Sequence, residues 1–206
     1  MKGTDHMRAL TRAVPYVIVV LALTSSACAS KSEYNAAVAR GDSLQIANVE
    51  LQAEYDSLQN LFATELEAAS LDMQLLRDGI EIELPADLLF ESGSLEVKRD
   101  GREFGMKLVN YLKGNDYLVF VTGFTDSQNP IGNLAQRYPT NWELSSARAA
   151  LAVRFLVGEG LSDERFWAVG RSANDPVASN STPEGRAKNR RLRLVLRPSG
   201  VVYNTP

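Results

Sequence analysis

The sequence predicts an α+β domain, a sandwich of strands and helices, behind a long helical stalk. Three observations carry this. Residues 33–78 contain no Pro and a single Gly, Gly41, with Leu44, Leu51 and Leu58 recurring every seven residues. Ile80-Glu81-Ile82-Glu83-Leu84 and Leu192 to Leu196 alternate apolar and polar residues with period two, as half-buried strands do. Between those strands, helix-like and strand-like patterns take turns, and Thr140-Asn141-Trp142-Glu143 reads as a capping box.

The elements divide the chain into residues 1–27, 28–78, 79–198 and 199–206. In the first segment Lys2, Arg8 and Arg12 precede the apolar run Val14 to Leu23, then Thr24-Ser25-Ser26-Ala27-Cys28. A basic start, a short apolar run and small residues describe a secretory signal. A retained membrane anchor is the alternative. In the stalk, Asn48, Tyr55 and Phe62 alternate with the heptad leucines, and the seam continues through Leu66, Ala69, Met73 and Leu76. Such a seam favours a coiled coil, with Asn48 specifying register, and predicts a homodimer through residues 33–77. The step from Leu58 to Phe62 to Leu66 is a stutter, and one long helix folded back on its own domain is the competing reading. Gly79 reads as the helix C-cap.

In the domain, Asp100 opens a helix to about Leu112, with Phe104, Leu108 and Leu112 on one face. Tyr117 to Val121 is nearly all apolar and reads as a strand covered on both faces. Thr122 to Tyr138 reads as a long polar loop, the capped helix runs to about Val157, and Phe166 to Val169 is a short strand. Ser172 to Ser181 is turn-rich, and Arg191, Arg193 and Arg197 share the exposed parity of the last strand.

Composition excludes several functions. Lys and Arg total 22 against 25 Asp and Glu, a net charge of −3, so the chain is not a uniformly basic nucleic-acid binder. Six Lys or Arg between Arg186 and Arg197 lack an interleaved aromatic for base stacking. Cys28 is the single Cys and His6 the single His, so no disulfide framework, metal or cofactor is expected. Removal of the leader would leave no imidazole for catalysis. Glu91, Asp126 and Glu143 are the carboxylates a glycosidase would need, but their spacing does not support one.

Two ionic residues stand out. Asp126 closes the Val121-Thr122-Gly123-Phe124-Thr125-Asp126 turn. Arg148 abuts the apolar stripe Leu144, Ala147, Leu151 and Phe155 of the capped helix, where a guanidinium needs an acceptor. Either the two form a structural ion pair, or they present one anion and one cation to a zwitterionic ligand.

Leu89-Phe90-Glu91-Ser92-Gly93-Ser94, Gly123-Phe124-Thr125-Asp126, Asn141-Trp142-Glu143-Leu144-Ser145 with Ala147-Arg148-Ala149, and Asn189-Arg190-Arg191-Leu192 resemble, in order, the motifs of the OmpA-like peptidoglycan-binding domain. Tyr138 to Ser145 and the loop before it are closer to the MotB branch. The resemblance implies a βαβαββ sandwich with a mixed four-stranded sheet, order 1-4-2-3. It implies non-catalytic capture of the diaminopimelate stem of peptidoglycan, Asp126 accepting the ammonium and Arg148 holding the carboxylate. Thr125, Leu144 and Arg190 are their neighbours in the motifs. The segment ending at Cys28 resembles a lipobox, implying lipidation of Cys28. With Ala29 next, it implies the periplasmic face of the outer membrane, tethered to the wall. An inner-membrane, MotB-like anchor is the alternative. A motor stator needs a membrane-embedded carboxylate, and residues 13–30 contain none.

Overall fold

A computed structural model describes residues 30–199 other than 69, 92 and 93. The expectations for the leader, Cys28 and Ala69 fall outside these. The chain divides into two units, one up to Glu50 and one from Leu51 on.

The described part of the first unit is the leading portion of helix α1 (Lys31–Leu61). Ser30 and Glu33 cap it reciprocally: the Ser30 N–H donates to Glu33 Oε2 at 2.8 Å, and the Glu33 N–H to Ser30 Oγ at 3.2 Å. Tyr34, Val38, Leu44, Ile46 and Val49 are exposed along it. No helix among the described residues is long and apolar enough to cross a membrane.

The second unit takes in the end of α1, and here the sequence expectation is corrected. Leu58 and Phe62 are fully buried and Leu51 nearly so, all within the core of their own chain. Phe62 stacks on Phe104 at 4.9 Å, and the Tyr55 hydroxyl donates to the Met73 carbonyl at 3.2 Å. From Leu51 onward the heptad seam is therefore covered by this domain, and it is the fold-back reading that holds there. Helix α2 (Ala63–Glu67) follows, then strand β1 (Asp72–Leu76), paired antiparallel with β2 (Gly79–Pro85). Met73 and Leu76, placed on the helical seam by spacing, are strand residues. Gly79 is no helix cap. It enters β2 after the two-residue Arg77-Asp78 turn, and a Cβ there would run into the Leu196 carbonyl.

Helix α3 (Ala86–Leu89), helix α4 (Arg99–Lys113), strand β3 (Tyr117–Gly123), helix α5 (Gly132–Arg137) and helix α6 (Asn141–Gly158) come next. A 3-10 turn leads into strand β4 (Phe166–Gly170), and helix α7 (Pro183–Asn189) into strand β5 (Arg191–Pro198). The sheet order is β1-β2-β5-β3-β4, with only β3–β4 parallel. The expected 1-4-2-3 arrangement is present as β2-β5-β3-β4, and β1 adds a fifth strand at its edge.

Inward residues Ile80, Ile82, Leu84, Val119, Val121, Leu192, Leu194 and Leu196 make the sheet's contribution to the core. Strand β3 is not apolar because both faces are deeply covered. Leu118, Phe120 and Thr122 are half-buried on the second face, where Trp167 stacks on Phe120 at 4.5 Å and Arg197 lies over the same ring. Nor does Arg191 follow the exposed parity of β5. It is buried, pairs with Glu83 and lies over the Phe124 ring at 3.9 Å.

Since Phe62 and Leu58 fill the domain core, Phe62→Ala should cost about 3–5 kcal/mol and Leu58→Ala about 2–5 kcal/mol in urea unfolding. Leu44→Ala, at an exposed site, should stay within about 0.5 kcal/mol. Similar small losses at all three positions would contradict the fold-back packing.

Candidate ionic site

The site is assembled where α6 crosses the ends of β3 and β4, and two glycines permit the approach. A Cβ on Gly123 would collide with the Ser145 carbonyl, and one on Gly170 with the Ser146 hydroxyl. The start of α6 is fixed by the predicted capping box, in which Thr140 and Glu143 exchange side-chain and backbone hydrogen bonds. The Glu143 carboxyl is held below its usual range, first by the Thr140 hydroxyl and then by backbone N–H groups.

The turn after β3 is tied down on each side. The Phe124 N–H donates to the Arg191 carbonyl and the Thr125 N–H to the Ser172 carbonyl, both at 2.9 Å. The Ser172 N–H in turn donates to Ser145 Oγ at 3.0 Å, with Ser172 in the left-handed region at φ 56°. Asn141 Nδ2 donates to the carbonyls of Asp126 and Gln128 at 3.1 and 3.0 Å. Across the turn, Asn180 Oδ1 accepts from the Ser127 N–H at 3.2 Å, and Asn189 holds Asn180 at 2.9 Å.

Asp126 is buried in this frame. Its Oδ1 accepts the Gln128 N–H at 2.8 Å and its Oδ2 accepts Arg190 Nη1 at 2.9 Å. Arg190 Nη2 donates to Asp87 Oδ2, also at 2.9 Å. Partial burial opposes the Arg190 charge, but hydrogen bonds to Asp87 and Asp126 outweigh it and raise its pKa. Asp126 is thus paired with a residue 64 positions along the chain, and the Asp126–Arg148 structural ion pair, one of the two sequence readings, does not form.

Arg148 is 7% exposed, and its Nε and Nη1 are buried without a hydrogen-bond partner. Burial pulls its pKa down from the ordinary guanidinium value. The field of Asp87 and then that of Asp126 favour its charge, while Arg190 opposes it. Thr125 Oγ1 and Asn141 Oδ1 are also buried without partners. Leu144 is buried on α6 one turn before Arg148. Two donors and two acceptors are therefore left open beside one charged carboxylate. A buried polar atom without a partner costs about 1–3 kcal/mol, so this concentration points to a ligand.

Of the residues singled out by sequence, Asp126 and Arg190 touch and Arg148 lies in the field of Asp126. Asp87 and the side-chain role of Asn141 were missed. Asp87 lies two residues before the Leu89-Phe90 motif and carries no signal of its own. Asn141 lies inside the capping sequence, which masked its reach to the Asp126 turn.

The fold is an α+β sandwich that gathers Asp126, Arg148, Arg190 and Asp87 into one ionic cluster at the ends of β3 and β4. The chain belongs to the OmpA family, which it matches over residues 89–190. It is 33% identical to the cell wall anchor of the T6SS from Pseudomonas aeruginosa, with a TM-score of 0.63, covering 69% of this chain and 97% of that one. It is 31% identical to Motility protein B of Bacillus subtilis over 63% of this chain and 49% of that protein. It is 38% identical to Peptidoglycan-binding protein ArfA of Mycobacterium tuberculosis over 39% of this chain and 23% of that protein. The chain spans about half the length of the first curated relatives it matches.

An unpaired buried guanidinium is a cost to the free protein. Arg148→Met, similar in length and apolar, should leave the thermal midpoint unchanged or raise it. A fall of more than about 4 °C, on the order of 1 kcal/mol for a chain of this size, would mean that Arg148 already has a structural partner.

Proposed function

We propose that this protein binds the stem peptide of peptidoglycan without catalysis and so fastens a membrane to the cell wall. The observation that carries the reading is the pair of unpartnered, buried guanidinium nitrogens of Arg148 beside the Asp126 carboxylate. Diaminopimelate offers an ammonium and a carboxylate on one carbon. The carboxylate takes the Arg148 fork, and the ammonium donates to Asp126, with Thr125 Oγ1 and Asn141 Oδ1 as neighbouring acceptors. Arg190 holds Asp126 in place, and Leu144 is buried one helical turn before Arg148. The names of the wall anchor and of the peptidoglycan-binding relative support the same reading.

The anchor is part of the proposal. Lipid on Cys28 would hold the chain at the periplasmic face of the outer membrane, with residues 28–50 as spacer. The exposed Leu44 and Asn48 of α1 leave a short seam for a homodimer. The likeness to Motility protein B favours a second reading, with the same wall contact but an inner-membrane anchor. Intact mass of the detergent-extracted protein and its density in separated membranes distinguish the two.

Co-sedimentation of the full-length protein with purified peptidoglycan tests the wall contact. Asp126→Ala and Arg148→Ala should each weaken it tenfold or more, since each charge-assisted hydrogen bond is worth about 1.5–3 kcal/mol. Unchanged sedimentation of both variants, or steady release of muropeptides by the wild type, would contradict the proposal.

A further inference from the structure

A second cleft, of about 670 Å³, opens between α5 and α6. Ala147 and Ala150 form its floor on α6, and Arg154 stands one turn further on the same helix face. Arg137 and Tyr138 line the opposite wall, with the Arg137 guanidinium 5.8 Å from the Tyr138 ring. Glu96 is the one carboxylate in the lining. The two arginines are exposed and form no ion pair among the described residues, whereas Arg191 and Arg193 on β5 pair with Glu81 or Glu83. The cleft is therefore net positive, and its volume lies in the range of small-ligand sites.

We propose that this cleft is a second recognition site, binding a further carboxylate of the same acidic peptide. The inference rests on the stem-peptide reading above and extends it. Ala147 directly precedes Arg148 on α6, about 100° around the helix axis from it, so the cleft and the ionic site are carried by the same turn of that helix. The six residues from Arg148 to Arg154 rise about 9 Å along the helix. Three residues of extended peptide span about 10 Å. A peptide whose ammonium and carboxylate lie between Asp126 and Arg148 therefore brings a neighbouring acid within reach of Arg137 and Arg154. In the stem peptide that acid is the free α-carboxylate of a γ-linked glutamate. The ionic site selects the diaminopimelate end, and the cleft reads whether the preceding residue is an acid or its amide.

The test uses two probes, L-Ala–γ-D-Glu–diaminopimelate and the same tripeptide with that carboxylate amidated, titrated into the full-length protein at low salt. Wild type should prefer the acid about tenfold, because one charge-assisted contact is lost with the amide. R137Q/R154Q, both at exposed positions, should bind the two probes equally, with affinity for the amide unchanged and the same melting midpoint. Equal binding of both probes by wild type, or a preference kept by the double variant, overturns this inference alone. Binding of neither probe by wild type overturns the stem-peptide reading with it.

Discussion

A guanidinium held out of water with two of its nitrogens unpaired is the constraint around which the site is organised. Desolvation works against the Arg148 charge, and the fields of Asp87 and Asp126 keep it in place without satisfying its donors. Arg190 completes the balance by bridging both carboxylates. Two acids and two arginines leave the cluster neutral as a whole and polar within, which suits a ligand carrying both signs. Had Asp126 paired with Arg148 instead of Arg190, the Arg148 donors would not be open to such a ligand.

Rigid placement of that guanidinium depends on α6. Glycines at 123 and 170 let the helix lie against β3 and β4 more closely than any side chain would allow, and the Thr140–Glu143 capping box sets where its first turn begins. The Ser172 loop and the Asn141 side chain then lock the Asp126 turn from opposite sides. The fold thus supplies orientation before any ligand arrives, and little ordering entropy is left for binding to offset.

Much of this was legible in the chain itself, and the losses have physical causes. Period-two alternation gave β2 and β5, and the local chemistry of the capping box gave the start of α6, because both signals are contained in a few residues. The stretch from Leu66 to Leu76 misled, since Met73 and Leu76 fit a 3.5-residue seam as well as a strand, and tertiary pairing with β2 decided between them. Leu58 and Phe62 showed a buried stripe but not what buries it. Asp126 and Arg148 were singled out together, yet the partner of Asp126 is Arg190, and no local pattern reveals a pairing over that separation. Asp87 is half-exposed and sits in a helix of only four residues, so nothing in its neighbourhood announced it.

The central claim is that the Arg148 donors wait for a ligand carboxylate. Nitrogen-15 spectra of the arginine side chains report on them directly during titration with meso-diaminopimelate. The account predicts that the Arg148 Nε–H resonance moves downfield and its exchange with water slows as ligand is added, while the Arg165 Nε–H, bonded to the Tyr117 carbonyl at 2.9 Å, stays where it is. An Arg148 signal that does not change at ligand concentrations that saturate binding would contradict it.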